Sequence, residues 1–125
     1  MKPYEEWFKQ SDYDLETAKA MFQAGRYIYV VFMCHLALEK ALKGVFTMKL
    51  KKIAPKTHNL IYFCEKAQIK LPLKTKNFLD NLNSLSVPTR YPDKLENLLK
   101  EYKKDRVETI LSQTKEALLC LKQII

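Results

Sequence analysis

Few side chains in this chain of 125 residues have both the type and the setting to do chemistry. His35 and His58 are the two imidazoles, so any metal site would have to mix ligand types. Glu39 follows His35 by one helical turn, a spacing that reads as a contact on a helix surface rather than half of a metal centre. With Lys40 and Lys43 they form a polar set placed opposite the deepest apolar stripe of their helix. That set is either a solvated face or the charged wall of a binding site. Lys56-Thr57-His58 offers a threonine suited to capping a short helix and a histidine that can pack or bind. In Arg90-Tyr91-Pro92-Asp93 a guanidinium stands beside an aromatic ring, between Pro88 and Pro92. This pairing suits clamping a phosphate and stacking on a base, or tying the loop to a helix end. A phosphate-cradling glycine loop, a His-Glu-x-x-His helix and a Gly-x-Ser-x-Gly elbow are all missing from the sequence. No catalytic residue, metal ligand or cofactor is assigned.

Composition bounds the setting for these residues. Hydrophobic residues at 47% and charged residues at 29% describe one folded domain over residues 1–125, neither a disordered tail nor a membrane protein. The most apolar stretch, Tyr27 to Leu38, is too short to span a bilayer and is interrupted by His35. Glu5 and Glu6 near the amino terminus do not fit a signal peptide, so a cytoplasmic location is expected. Cys34, Cys64 and Cys120 are odd in number and far apart, which predicts reduced core thiols. A net charge of +8 favours polyanionic partners. Its distribution is uneven: Lys40, Lys43, Lys49, Lys51, Lys52 and Lys56 fall in a stretch to Cys64 without one acidic residue. A lysine-rich solvated surface and a phosphate-facing patch both fit that pattern.

The elements that must position these groups read as helices. Two glycines, and prolines that fall where the apolar periodicity stops, predict an all-α, up-and-down bundle of four to five helices. The first opens at Pro3 and ends at Gly25. The second runs from about Tyr27 to about Lys49, and Ile28, Phe32, Met33 and Leu36 lie outside its core stripe, which predicts a homodimer. A short helix follows Thr57, taken as its cap, and another carries Phe78, Leu79, Leu82 and Leu85. Val87 to Asp93 reads as a loop, because each proline lacks an amide donor. Asp93 with Glu96, and Asp105 with Glu108, have capping-box spacing for a short piece and a long last helix.

Several of these segments coincide, in order and spacing, with a known family. Trp7, Asp14-Leu15 with Ala18, Gly25-Arg26-Tyr27, Leu38-Glu39-Lys40-Ala41-Leu42-Lys43, Lys56-Thr57-His58-Asn59-Leu60 and Arg90-Tyr91-Pro92 carry the likeness. Through them the chain resembles the HEPN domain family, the small helical bundles named for nucleotide binding in higher eukaryotes and prokaryotes. The resemblance implies a homodimeric bundle encoded beside a minimal nucleotidyltransferase, as a two-component or toxin-antitoxin module. It implies a nucleotide or RNA ligand in a basic cleft, with Lys40 and Lys43 supplying charge, Arg90 clamping phosphate, Tyr91 stacking and His58 nearby. Many members are metal-independent ribonucleases with a histidine four to six residues after such an arginine. Lys94, Leu95 and Glu96 stand there instead, and a missing proton-transfer group costs on the order of 10² to 10⁴ in rate. Two alternatives stay open: a metal-independent ribonuclease toxin in which His58 or His35 fills that role, and a helical interaction protein without a ligand.

Overall fold

Pro3 starts the first helix as expected, at a position whose amide would be unpaired in any case. The computed structural model describes residues 2–90 and 93–124, the side chain of Arg90 excepted. These residues form six helices and no strand: α1 (Pro3–Gln23), α2 (Tyr27–Leu50), α3 (Leu60–Lys66), α4 (Leu73–Arg90), α5 (Leu95–Glu101) and α6 (Lys104–Lys122). Four are long, and α3 and α5 span about two turns each, so the count is one above the upper expectation.

After α1 the chain reverses at Gly25, whose φ of +74° is the left-handed conformation that glycine adopts without a Cβ penalty. The Arg26 N–H then bonds the Met21 carbonyl at 2.9 Å. Contacts step down α1 as they step up α2: the Phe22 and Tyr27 rings meet edge to face, the Ser11 hydroxyl donates to the Ala37 carbonyl, and Phe8 lies on Gly44, while the long Lys40 side chain reaches back to Asp14. The two helices therefore form an antiparallel hairpin. Gly44 makes room for the Phe8 ring, since a Cβ there would sit 2.8 Å from Phe8 Cε1.

The second helix packs against each of the other five. Its Val30, Val31, Cys34, Leu38, Leu42 and Val45 are buried with Leu60, Phe63, Leu79, Leu82, Val107 and Leu121. This enclosure corrects the placement of its polar set: His35 and Glu39 are 1% and 3% exposed, not on an outer face. Ile28 is buried too, whereas Phe32, Met33 and Leu36 are half-buried. Cys34 and Cys64 are buried thiols, and Cys120 is half-buried.

Four helix ends differ from the sequence reading. Asn59, not Thr57, caps α3, accepting from the N–H groups of Ile61 and Tyr62, while Thr57 Oγ1 accepts from the Asn59 N–H in a preceding turn. Helix α4 continues through Pro88 to Arg90. The amide lost at Pro88 falls in the last turn, where Ser86 Oγ donates to the Asn83 carbonyl and Thr89 Oγ1 to that of Ser86, so hydroxyls hold carbonyls there. Lys94 and Lys103, without side-chain cap bonds, precede α5 and α6; Asp105 lies inside the first turn of α6 rather than at its cap. Among the described residues no helix is long and apolar enough to cross a membrane.

Candidate functional site

Glu39 is the hub of a buried polar cluster. It projects from the middle of α2, and burial makes an unpaired carboxylate costly there, so both oxygens are engaged. Oε1 accepts from His58 Nδ1 at 2.7 Å, and Oε2 accepts from Lys43 Nζ, one turn further along α2, at 3.2 Å. The Lys43 ammonium also stands 5.2 Å from the centre of the Trp7 ring, a cation–π contact that ties α1 to the same point. Because a carboxylate only accepts, His58 Nδ1 carries a proton, and the neutral ring presents Nε2 as an acceptor. The imidazole is 68% exposed at its side chain, so a buried anchor holds an accessible ring.

A second chain of bonds begins at Asn83 on α4. Its Oδ1 accepts from the Leu60 N–H at 3.1 Å, which fixes the orientation of the amide, and the same oxygen lies 3.2 Å from His35 Nε2. That nitrogen is accordingly the donor, and the tautomer of His35 follows. Asn83 Nδ2 donates to Asn59 Oδ1 at 2.9 Å, the atom that caps α3. Asn83 thereby joins α2, α3 and α4 at one point and helps fix where His58 stands.

Between α3 and α4 these residues border a cleft of about 580 Å³, lined by His58, Asn59, Ile61, Asp80, Asn83, Ser86 and Val87. Imidazole, amide, hydroxyl and carboxylate groups face it beside two aliphatic side chains. Such a surface can hydrogen-bond the edge of a polar ring and cover its face.

The site residues expected from sequence divide into three groups. His58 lines the cleft. Lys40 and Lys43 are each paired to a buried carboxylate, Lys40 to Asp14 at 2.9 Å and Lys43 to Glu39, so their charges are already compensated. Arg90 is the last residue of α4, one turn beyond Ser86 and Val87; its side chain and Tyr91 lie outside the described residues. Sequence reasoning missed Asn59 and Asn83. The signal for Asn59 was an asparagine directly before the apolar Leu60-Ile61, a favoured cap position. The signal for Asn83 was a polar residue in core phase, four residues after Leu79 and one after Leu82. Among the described residues, no three His, Cys, Asp or Glu side chains converge as metal ligands.

Comparison with known proteins gives one family and one fold. The HEPN domain model matches residues 4–124. The crystal structure of TT1696 from Thermus thermophilus superposes with a TM-score of 0.86 at 21% identity, covering 100% of both chains. That of ST0689, titled an archaeal HEPN homologue, gives 0.78 at 23% identity over 98% of each chain. No curated protein matches significantly.

Proposed function

This chain belongs to the HEPN domain family, and from that premise we propose that it binds a nucleotide or nucleic acid in the cleft between α3 and α4. One observation carries the reading: the exposed His58 ring is anchored by buried Glu39 beside the interlocked amides of Asn59 and Asn83, on a wall whose helix ends at Arg90. The fixed acceptor at His58 and the amide groups suit the polar edge of a base, and Ile61 and Val87 suit its face. Arg90 supplies the guanidinium for phosphate, as the pairing of Lys40 and Lys43 leaves those two as frame rather than free charge. The net charge of +8 favours the approach of such a ligand. We place the protein in the cytoplasm as a homodimer that works with a minimal nucleotidyltransferase subunit in a two-component or toxin-antitoxin module.

The test is calorimetric titration of the purified protein with mononucleotides and with a short single-stranded RNA. Saturable binding that weakens roughly tenfold in Arg90→Ala and in His58→Ala, with the melting temperature lowered by no more than about a few degrees, supports this reading. No binding of any of these ligands by the wild-type protein would overturn it.

A second reading, a metal-independent ribonuclease, has one observation in its favour. Glu39 holds His58 in the tautomer that a general base requires, within the same cleft. Incubating RNA with the protein in chelator separates the two readings. Cleavage abolished by His58→Ala would put the ribonuclease first.

A further inference from the structure

A second cleft, of about 550 Å³, lies at the opposite end of the α1–α2 hairpin from Gly25, where the start of α1 meets the end of α2. It does not share a lining residue with the cleft at His58. Its walls are mostly apolar, with Tyr4, Trp7 and Met48 among the residues that line them. Its volume is within the roughly 300–1,000 Å³ usual for small-molecule sites.

Three features say what kind of molecule would fill it. The charged residues on its lining are Lys2, Lys51 and Lys52, with no acidic one among the described residues there. Among the described residues none of these three lysines has a carboxylate partner in an ion pair, in contrast to Lys40 and Lys43. Next, Ile53 lines the same cleft yet is 94% exposed, an aliphatic side chain left in water beside apolar walls. A body seated between Ile53 and Trp7 would cover both. Finally, Lys51 caps α2 in the left-handed conformation, φ 53°, where glycine or asparagine sits without strain. That strained lysine is one of the residues that line the cleft.

We propose that this cleft binds a small amphipathic anion, an aryl or alkyl carboxylate or phosphate, with its apolar body against Tyr4, Trp7 and Met48 and its charge on Lys51 and Lys52. An apolar body without charge would leave the lysines uncompensated, and inorganic phosphate would leave the aromatic walls in water. The amphipathic anion satisfies both halves of the site.

Trp7 is the one tryptophan of the chain, so a single indole N–H resonance reports on this cleft. The whole protein is titrated with decanoate and with phenyl phosphate, against decanol, phenol and inorganic phosphate as matched controls. At least one of the two anions is expected to give a saturable shift of the indole resonance; which of them does so identifies the alkyl or the aryl class. The neutral congeners should bind at least about tenfold more weakly, and inorganic phosphate should leave the resonance in place. Lys51→Glu with Lys52→Glu should weaken the anion about tenfold or more, while Lys74→Glu, on α4 and outside this lining, should not. Should the double variant fail to fold, Lys51→Gly removes one charge while suiting the left-handed backbone, and should still weaken binding. The proposal is overturned if neither anion moves the indole resonance, if a neutral congener binds as tightly, or if the lysine variants keep full affinity. A shift seen only with anionic phospholipid vesicles would also overturn it, in favour of a membrane-surface patch.

Discussion

Glu39 shows how much one buried carboxylate can organise: it is 4% exposed at its side chain and serves both Lys43 and His58. Glu39→Gln keeps the shape and removes the charge, leaving a Lys43 side chain that is only 11% exposed without its counter-ion. We expect a loss of roughly 2–3 kcal/mol, read from chemical denaturation, because removing one member of a buried pair strands the other. His58→Ala should cost under about 1 kcal/mol, since its ring is largely in solvent. The thiols give a second test at this scale. Burial pushes Cys34 up to about 11, against a smaller opposing pull from Thr114, and burial likewise pushes Cys64 up to about 11. At pH 8 a disulfide reagent should therefore titrate Cys120 quickly, and Cys34 and Cys64 only after denaturant is added. The sign of the pH dependence follows. Both thiols hold their protons more tightly folded than unfolded, so their stabilising effect is complete below about pH 9 and is lost as pH rises toward 11. Tyr102, raised chiefly by burial, acts in the same direction. The melting temperature should fall across that window. At this scale the sequence was partly legible: the residue types of the site were visible, but burial was not. His35 and Glu39 look like a helix surface by spacing, and only the packing of α3 and α4 over them makes them interior.

Helices were the most legible level, because their signals are local. Pro3, Gly25 and the apolar phase of α2 place the first two helices within a residue or two. The departures occur where a local rule meets a non-local partner. Thr57 and Asn59 are both competent caps, and the bond from Asn83 on α4 to Asn59 accompanies the choice of Asn59. Pro88 reads as a stop, yet α4 continues through it to Arg90, because a proline in the last turn removes only one bond of the ladder. Asn59→Ala should therefore cost about 1–2 kcal/mol, at the upper end for a lost cap, since the Asn83 amide loses its acceptor as well. Gly44 gives a sharper prediction. In an exposed helix interior, Gly→Ala gains about 1 kcal/mol, but here the new Cβ would meet the Phe8 ring at 2.8 Å. Overpacking of this kind costs about 1–3 kcal/mol, so Gly44→Ala should destabilise by about 1 kcal/mol in thermal melts. Adding Phe8→Ala to make room should make the alanine at position 44 neutral or favourable. A stabilised single variant would mean that the ring moves aside without penalty.

For the whole molecule, the order of the weak motifs was more informative than any one of them, and it pointed to the family that the comparison of residues 4–124 supports. Assembly is the property that follows from the surface as a whole. Tyr29, Phe32, Met33 and Leu36 recur at i, i+3, i+4 and i+7 along α2, which sets them in one stripe. Tyr29 is 54% exposed and the other three are half-buried, whereas Ile28, which the periodicity groups with them, is inside the core. A stripe of large apolar side chains only part-covered by its own bundle is the surface a second copy of the chain would bury, and a two-fold arrangement lets the same stripe meet itself. Light scattering at micromolar concentration should therefore give the mass of a dimer. Leu36→Glu places a charge in the centre of the stripe, where burial against a partner would leave it unpaired, at a position that the monomer already exposes in part. It should shift the protein to a monomer with unchanged helical content by circular dichroism. Tyr13→Glu, on α1 at a residue 75% exposed and outside the stripe, should leave the dimer intact. A wild-type monomer at these concentrations would rule out the stripe as an interface. A dimer that survives Leu36→Glu would move the two-fold contact to another face of the bundle.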